Sequence, residues 1–351
     1  MKLALKILAS LLVTVACVYY ALHGVDTTAV GHALRALPVD VVVLYLATLA
    51  ATHLFRAWRL TYLLRPLGFH MSQPRLLPIS SVGFMAILAL PVRLGEFVRP
   101  YYLARDGRVR MSAALGTVAV ERIIDGLAIS ILFFVSYLVS SHGAQAFSPE
   151  LKFGAWLSLT GFLGLTAFLA LALVRPEPAI RLFLKLSLIS TLAPSRAHHI
   201  GDRLRSLISG FRVLSDPRNL TLFVLHTVAY WGINGLGMWI LARGMNLPIT
   251  LGAAYTCMSF TGVILTLPNS PGLVGQFHAA IKLSLMAYLP AAIVNSRGIA
   301  YAVVLHGLQS VWYVGMGLLS LPLAAGAGHQ SLRDAVRESN RAAEAANVEA
   351  S

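Results

Sequence analysis

Long uncharged runs alternate along this chain with short clusters of arginine. Asp, Glu, Lys and Arg are absent over 7–25, 76–92, 126–149, 153–174, 220–242, 244–281 and 298–332. A helix needs about 20 apolar residues to cross the hydrocarbon of a bilayer. A charge at its centre costs about 2.5–3.5 kcal/mol on insertion scales. The pattern therefore predicts an all-α, polytopic integral membrane protein. Two runs break the rule of one run per span. The stretch 76–92 is short and stops at Pro91. The stretch 244–281 is too long for one span and is interrupted at Pro268-Asn269-Ser270-Pro271-Gly272. Such a break leaves backbone polar groups unpaired at membrane depth, which is tolerated only inside protein or beside a watery cavity. The interruptions mark the place to look for a site.

Charge then orders the elements. Lys2 and Lys6 put the N-terminus in the cytoplasm, span 5–23 exits, and span 38–64 returns. Arg56, Arg59, Arg65 and Arg75 are taken as markers of the cytoplasmic side, as the positive-inside rule requires. A full crossing by 76–92 would strand Arg93, Arg99, Arg105, Arg108 and Arg110 outside. It would also place the basic loop 175–218 outside, so 76–104 is predicted as a re-entrant hairpin. Span 112–140 exits and span 152–174 returns. Loop 175–218 is cytoplasmic and is expected to hold amphipathic helices on the inner leaflet. Span 219–242 exits, hairpin 250–289 enters from outside, and span 298–322 returns to a helical or disordered tail, 323–351.

The expected fold is thus about six spans plus two re-entrant helical hairpins. Residues 1–140 and 152–322 carry the same order of elements in opposite orientation, the pattern of an inverted repeat with a binding site at its interface. The expected location is the inner membrane, multi-pass, with both termini cytoplasmic.

Composition agrees with a membrane class: 57% hydrophobic, 12% charged and a mean hydropathy of +0.72. The net charge of +14 is read as basic cytoplasmic loops rather than a nucleic-acid surface. Cys17 and Cys257 both lie in apolar runs, so no disulfide framework is expected. The N-terminal run lacks a small-residue cleavage site and is read as an uncleaved helix.

The chemistry concentrates between 91 and 125. Arg93, Glu96 and Arg99 stand three apart, so one helical face gathers them around Gly95. Glu121 and Asp125 are four apart with Arg122 between, about 13 Å into their helix at ~1.5 Å per residue. Ionisable groups at that depth need partners, and the hairpin arginines are the expected ones. One reading is a structural ion-pair network; the other is a polar cavity for an anionic group, suited to the planar fork of arginine. His226 and His306 are expected to be helix-contact residues. His278, three residues past Gly275, is the better candidate. No phosphate-binding loop, nucleophile elbow or metal-spaced Cys/His set is present, so no cofactor and no enzymatic step are expected.

Three motifs carry a family resemblance: Pro91-x-Arg93-x-Gly95-Glu96-x-x-Arg99, Glu121-Arg122-x-x-Asp125 and Pro268-x-x-Pro271-Gly272-x-x-Gly275-x-x-His278. Together they resemble the flippase-like transmembrane region of lysylphosphatidylglycerol synthases and its stand-alone relatives, over roughly 5–322. Leu273 stands where that family often has Gly, and His278 where it often has Glu. The resemblance implies movement of an anionic phospholipid or polyprenyl-phosphate lipid between leaflets. The chain ends about 30 residues past its last predicted helix, so an aminoacyltransferase domain is not expected.

On this reading Arg93, Arg99 and Arg122 receive the headgroup phosphate. Glu96, Glu121 and Asp125 hold those arginines when the site is empty, or exchange protons. The segment Pro268, Asn269, Pro271, Gly272, Gly275 forms the opposing wall, with His278 beside it. The two hairpin tips are therefore expected to meet. The partners expected are membrane lipids with anionic headgroups, with self-association left open and no nucleic acid. The rivals are a polyprenyl-dependent glycosyltransferase, for which the predicted outer loops offer only Asp26 and Glu150, and a non-transporting scaffold.

Overall fold

In the computed structural model, the described residues are 28, 31–32, 35–105, 109–140, 149–187, 201, 204–205, 208, 211, 216–266 and 271–349. Predicted span 5–23 lies outside them. Among the described residues every regular element is helical.

Helix α1 (Val39–Leu64) begins after Pro38, whose extended backbone sets the helix start. Helix α2 (Gln73–Ala89) has proline in its first turn, where the missing N–H costs nothing. It ends because Leu90 precedes Pro91 and is pushed to extended backbone (φ −91°, ψ 137°). A tight 3-10 segment, Pro91–Phe97, turns the chain into α3 (Val98–Ala104). The tip folds back closely: a Cβ added at Gly95 would overlap the Ala86 carbonyl, and one at Gly83 would lie 2.9 Å from Cβ of Arg99. Residues 76–104 thus form the predicted helix–break–helix unit, starting three residues earlier, at Gln73.

Helices α4 (Met111–Ser140) and α5 (Pro149–Val174) follow. Helix α6 (Pro176–Leu186) is the expected amphipathic helix. Its Glu177 takes a two-pronged contact from exposed Arg205, at 2.7 and 2.9 Å, and this hydrogen bonding draws the carboxyl below its usual range. Helix α7 (Pro217–Gly244) is capped by Asp216, which accepts from the backbone N–H of Arg218 and Asn219. These bonds, the backbone one from Asn219 foremost, lower the Asp216 pKa.

Helix α8 (Leu251–Ile264) is capped by Thr250, and α9 (Gln276–Leu285) returns after a break containing the 3-10 turn Pro271–Leu273. Gln276 spans the break, its side-chain amide donating to the Ile264 carbonyl at 3.0 Å. That bond satisfies one of the orphan carbonyls at the end of α8. Gly272 and Gly275 adopt φ of 68° and 81°, which suits glycine. Leu273 also has φ 57°, a conformation that disfavours a branched side chain.

The last helix begins earlier than the predicted 298. After Pro290, a helical turn (Ala291–Ile293) and a π turn (Val294–Gly298) lead into α10 (Ile299–Glu349). Arg297, which looks like a boundary in sequence, is accommodated by donating to the Asn246 carbonyl at 2.9 Å. Helix α10 continues through Pro322 into the tail, so of the two expectations for 323–351 the helical one holds up to Glu349.

Helix α1 packs along α7, and α2 packs along α10. The first pair is antiparallel, since Gly237 faces Thr48 while Gly244 faces Val41. Small residues let the two backbones approach, which is how membrane helices gain packing energy when no hydrophobic drive separates them from lipid. Helix α8 packs on α4, and α4 on α5. One core joins α1, α7, α8, α9 and α10 around Tyr45, Leu49, Leu241, Ile281 and Tyr301. A second joins α1, α2, α3, α4 and α7 around Leu60, Leu64, Ile79, Leu103 and Phe223.

The surface is apolar where a soluble protein would be polar. Val43, Phe153, Leu157, Val311 and Leu319 are all exposed, as expected of lipid-facing helices. Among the described residues, three helical stretches are long and apolar enough to cross a membrane: Val39–Leu67, Leu151–Val174 and Ala291–Ala324.

Candidate functional site

Helix α4 carries Glu121 and Asp125 one turn apart, and both are buried. Arg59 of α1 reaches them from the side. Its guanidinium meets Glu121 at 2.9 Å and grips Asp125 with two nitrogens, the Nη2–Oδ2 arm being 2.7 Å. Arg59 is fully buried and also donates to the Thr227 hydroxyl at 3.2 Å. Arg99 of α3 pairs with the other oxygen of Glu121. Arg122 pairs with Glu121 at 2.8 Å, Asp125 at 3.6 Å and Glu96 at 3.8 Å. Trp231 donates its indole N–H to Asp125 at 3.3 Å.

Among the described side chains this network holds three guanidinium groups and three carboxylates, so its charges cancel. Pairing of this completeness is what allows ions to stay ionised away from water, because each uncompensated charge would cost several kcal/mol. The network also ties α1, α3, α4 and α7 together.

A cavity of about 610 Å³ opens beside it. One wall carries Arg122, Asp125 and Glu96; facing walls bring Arg56, Tyr230, Asn234, His306, Gln309 and Tyr313. Phe84, Ile129, Phe162, Met258 and Phe277 supply apolar surface. Both interrupted segments reach it, with Phe97 from the first, and Leu265, Thr266 and Leu273 from the second. The 3-10 segments Pro91–Phe97 and Pro271–Leu273 approach each other directly, so the expected meeting of the tips is found. Phe97 and Thr266, one beside each break, line the cavity and are exposed.

Glu96, Arg122 and Asp125 sit at the cavity, Glu121 and Arg99 in the network behind it, and Gly95 in the tip packed on α2. Gly272 and Gly275 shape the second tip. Pro268, Asn269 and the side chains of Arg93 and Pro271 lie outside the described residues. His278 packs edge-on against His306, with ring centroids 4.9 Å apart, and His306 lines the cavity. The sequence reading had placed His306 among helix contacts, and it does stack on Phe277 at 5.0 Å. His226 is a helix-contact residue as expected, its ring packing against Phe55 and Tyr62 of α1 with centroids 5.5 and 4.9 Å away.

Two site residues were missed. The positive-inside rule reads Arg56 and Arg59 as cytoplasmic markers, but Arg59 is the hub of the network and Arg56 lines the cavity. Their spacing of three was the available signal, since it puts both on one helix face.

Compared with curated proteins and with solved structures, the chain matches none. Residues 7–318 match the lysylphosphatidylglycerol synthase TM region, and the protein belongs to that family.

Proposed function

We propose that the protein is a lipid translocase that moves an anionic phospholipid or polyprenyl-phosphate lipid between leaflets of the inner membrane, without a covalent step. The observation that carries this reading is the meeting of two interrupted helices at one amphipathic cavity. Irregular backbone inside a membrane protein is placed where it is buried or faces a polar space. Here charged and polar groups share one cavity with a larger apolar lining, as a lipid head with attached chains requires. The cavity size falls within the ~300–1,000 Å³ of small-molecule sites, enough for a headgroup and the nearest part of the chains. The remainder can leave between the tips, beside the exposed Phe97 and Thr266.

The reading includes six spans, two re-entrant hairpins and an inverted repeat. The packing partners support it. If α1, α2, α3 and α4 correspond to α7, α8, α9 and α10, the main packing contacts exchange. The pair α2–α10 exchanges with α8–α4, α1–α2 with α7–α8, and α3–α4 with α9–α10, while α1–α7 maps onto itself. Such exchange is expected of two halves related by a pseudo-two-fold axis.

Reconstituted protein should carry a fluorescent phosphatidylglycerol analogue across vesicles faster than protein-free vesicles do. Ala119→Trp, which narrows the cavity from α4 while every charged residue is kept, should slow it several-fold. A wild-type rate equal to that of empty vesicles sinks the proposal.

A further inference from the structure

Arg56 stands apart from the other site arginines. Arg59, Arg99 and Arg122 are each paired with at least one carboxylate. Among the described residues no carboxylate pairs with Arg56. It is held by aromatic groups instead: its guanidinium lies 4.0 Å from the centre of the Phe84 ring and 5.8 Å from that of Tyr230. Tyr313 lies within hydrogen-bond reach. Its Nε is buried and has no hydrogen-bond partner among the described residues. Phe84, Tyr230 and Tyr313 also line the cavity.

Among the described side chains the network beyond Tyr230 holds as many carboxylates as guanidinium groups, so Arg56 adds one positive charge that no described carboxylate answers. An unanswered guanidinium in a largely apolar cavity is costly unless a counter-ion arrives. Aromatic faces orient it and lessen that cost without consuming its hydrogen-bonding fork. A ligand head with one negative charge and two oxygens fits this arrangement. Asn234, Gln309 and Tyr313 stand on the same walls to meet its remaining polar atoms.

We infer that Arg56 is the headgroup-binding residue of the cavity, selecting an amphiphile whose head is a phosphodiester monoanion. This inference rests on the proposed lipid-carrying role of the same cavity. It reassigns headgroup binding: Arg99 is spent on Glu121 behind the wall, and Arg122 holds three carboxylates. Arg56 alone among these four meets the ligand without first breaking an ion pair.

The test is lipid competition on the purified full-length protein in nanodiscs, read by mass spectrometry of retained lipid. Wild type should retain phosphatidylglycerol over phosphatidylcholine. Arg56→Gln should reduce that preference at least tenfold, and Arg56→Lys should keep part of it, since the charge remains and the fork is lost. Wild-type preference in a folded Arg56→Gln protein overturns the inference. Should that variant fail to fold, phenylglyoxal modification of Arg56 in the wild type decides. Phosphatidylglycerol should protect Arg56 at least several-fold better than phosphatidylcholine, and equal modification overturns the inference. Soluble glycerophosphoglycerol, the same head without chains, should compete weakly; competition as strong as that of the lipid overturns the amphiphile assignment and points to a free phosphodiester. Transport is read separately. Wild type that binds through Arg56 yet moves no lipid defeats the translocase reading alone. Transport and selectivity both unaffected by Arg56→Gln defeat this inference alone.

Discussion

Glu121 accepts from three guanidinium groups, those of Arg59, Arg99 and Arg122, and is nearly inaccessible to solvent. Replacing it with Gln leaves Arg99 buried without its carboxylate and unbalances the network. Breaking one side of a buried ion pair typically costs about 3–5 kcal/mol. Glu121→Gln should therefore lower the thermal midpoint sharply in detergent. Glu177→Gln, which breaks an exposed pair with Arg205, should leave the midpoint unchanged because solvent screens that pair. Equal midpoints for the two variants would mean that the network contributes little to the fold. Glu121 and Asp125 were legible as site residues because a carboxylate deep in an apolar run has no innocent role. Arg59 was not, because an arginine near the end of such a run looks the same whether it faces the cytoplasm or a carboxylate on another helix. Its partners lie 62 and 66 positions away in the chain, beyond the reach of any local pattern.

At the level of elements, the first hairpin depends on backbone lying directly on backbone. Gly95 sits where any side chain would collide with the Ala86 carbonyl, and that carbonyl already accepts from Leu90 at 2.9 Å. Gly95→Ala must push the tip off α2 and with it displace Glu96, Phe97 and Arg99. Gly307→Ala is the matched control, since a Cβ there meets nothing within 4 Å. Gly95→Ala is expected to abolish phosphatidylglycerol retention and lower the thermal midpoint, with Gly307→Ala matching wild type in both. A fully active Gly95→Ala protein would show that the tip is not held where the structure places it. The breaks themselves were readable, because Pro91 forbids helix at Leu90 and the Pro-Gly pair forbids a continuous α8–α9. The start of the last helix was not: Arg297 ends the uncharged run in sequence, but a carbonyl from the α7–α8 connection receives it and the helical path continues back to Ala291.

For the whole molecule, the orientation argument from basic residues gives a direct test. Single cysteines at 106 and in loop 175–218 should react with impermeant reagent only from the cytoplasmic side, and one at 145 only from the periplasmic side. Labelling of 106 from the periplasm alone would turn the first hairpin into a full span and end the inverted-repeat reading. The chain by itself determined that this is a helical membrane protein, where its helices are interrupted, and which carboxylates are out of place. All three follow from the cost of exposing charge or unpaired backbone to hydrocarbon, a cost paid residue by residue and so visible in order along the sequence. Only the tertiary structure decided which arginine answers which carboxylate, that His306 and not His278 reaches the cavity, and that Arg56 has no carboxylate among the described residues to answer it. Those facts depend on which faces of α1, α4, α7 and α10 are turned toward one another, and helix packing sets those faces between segments far apart in the chain.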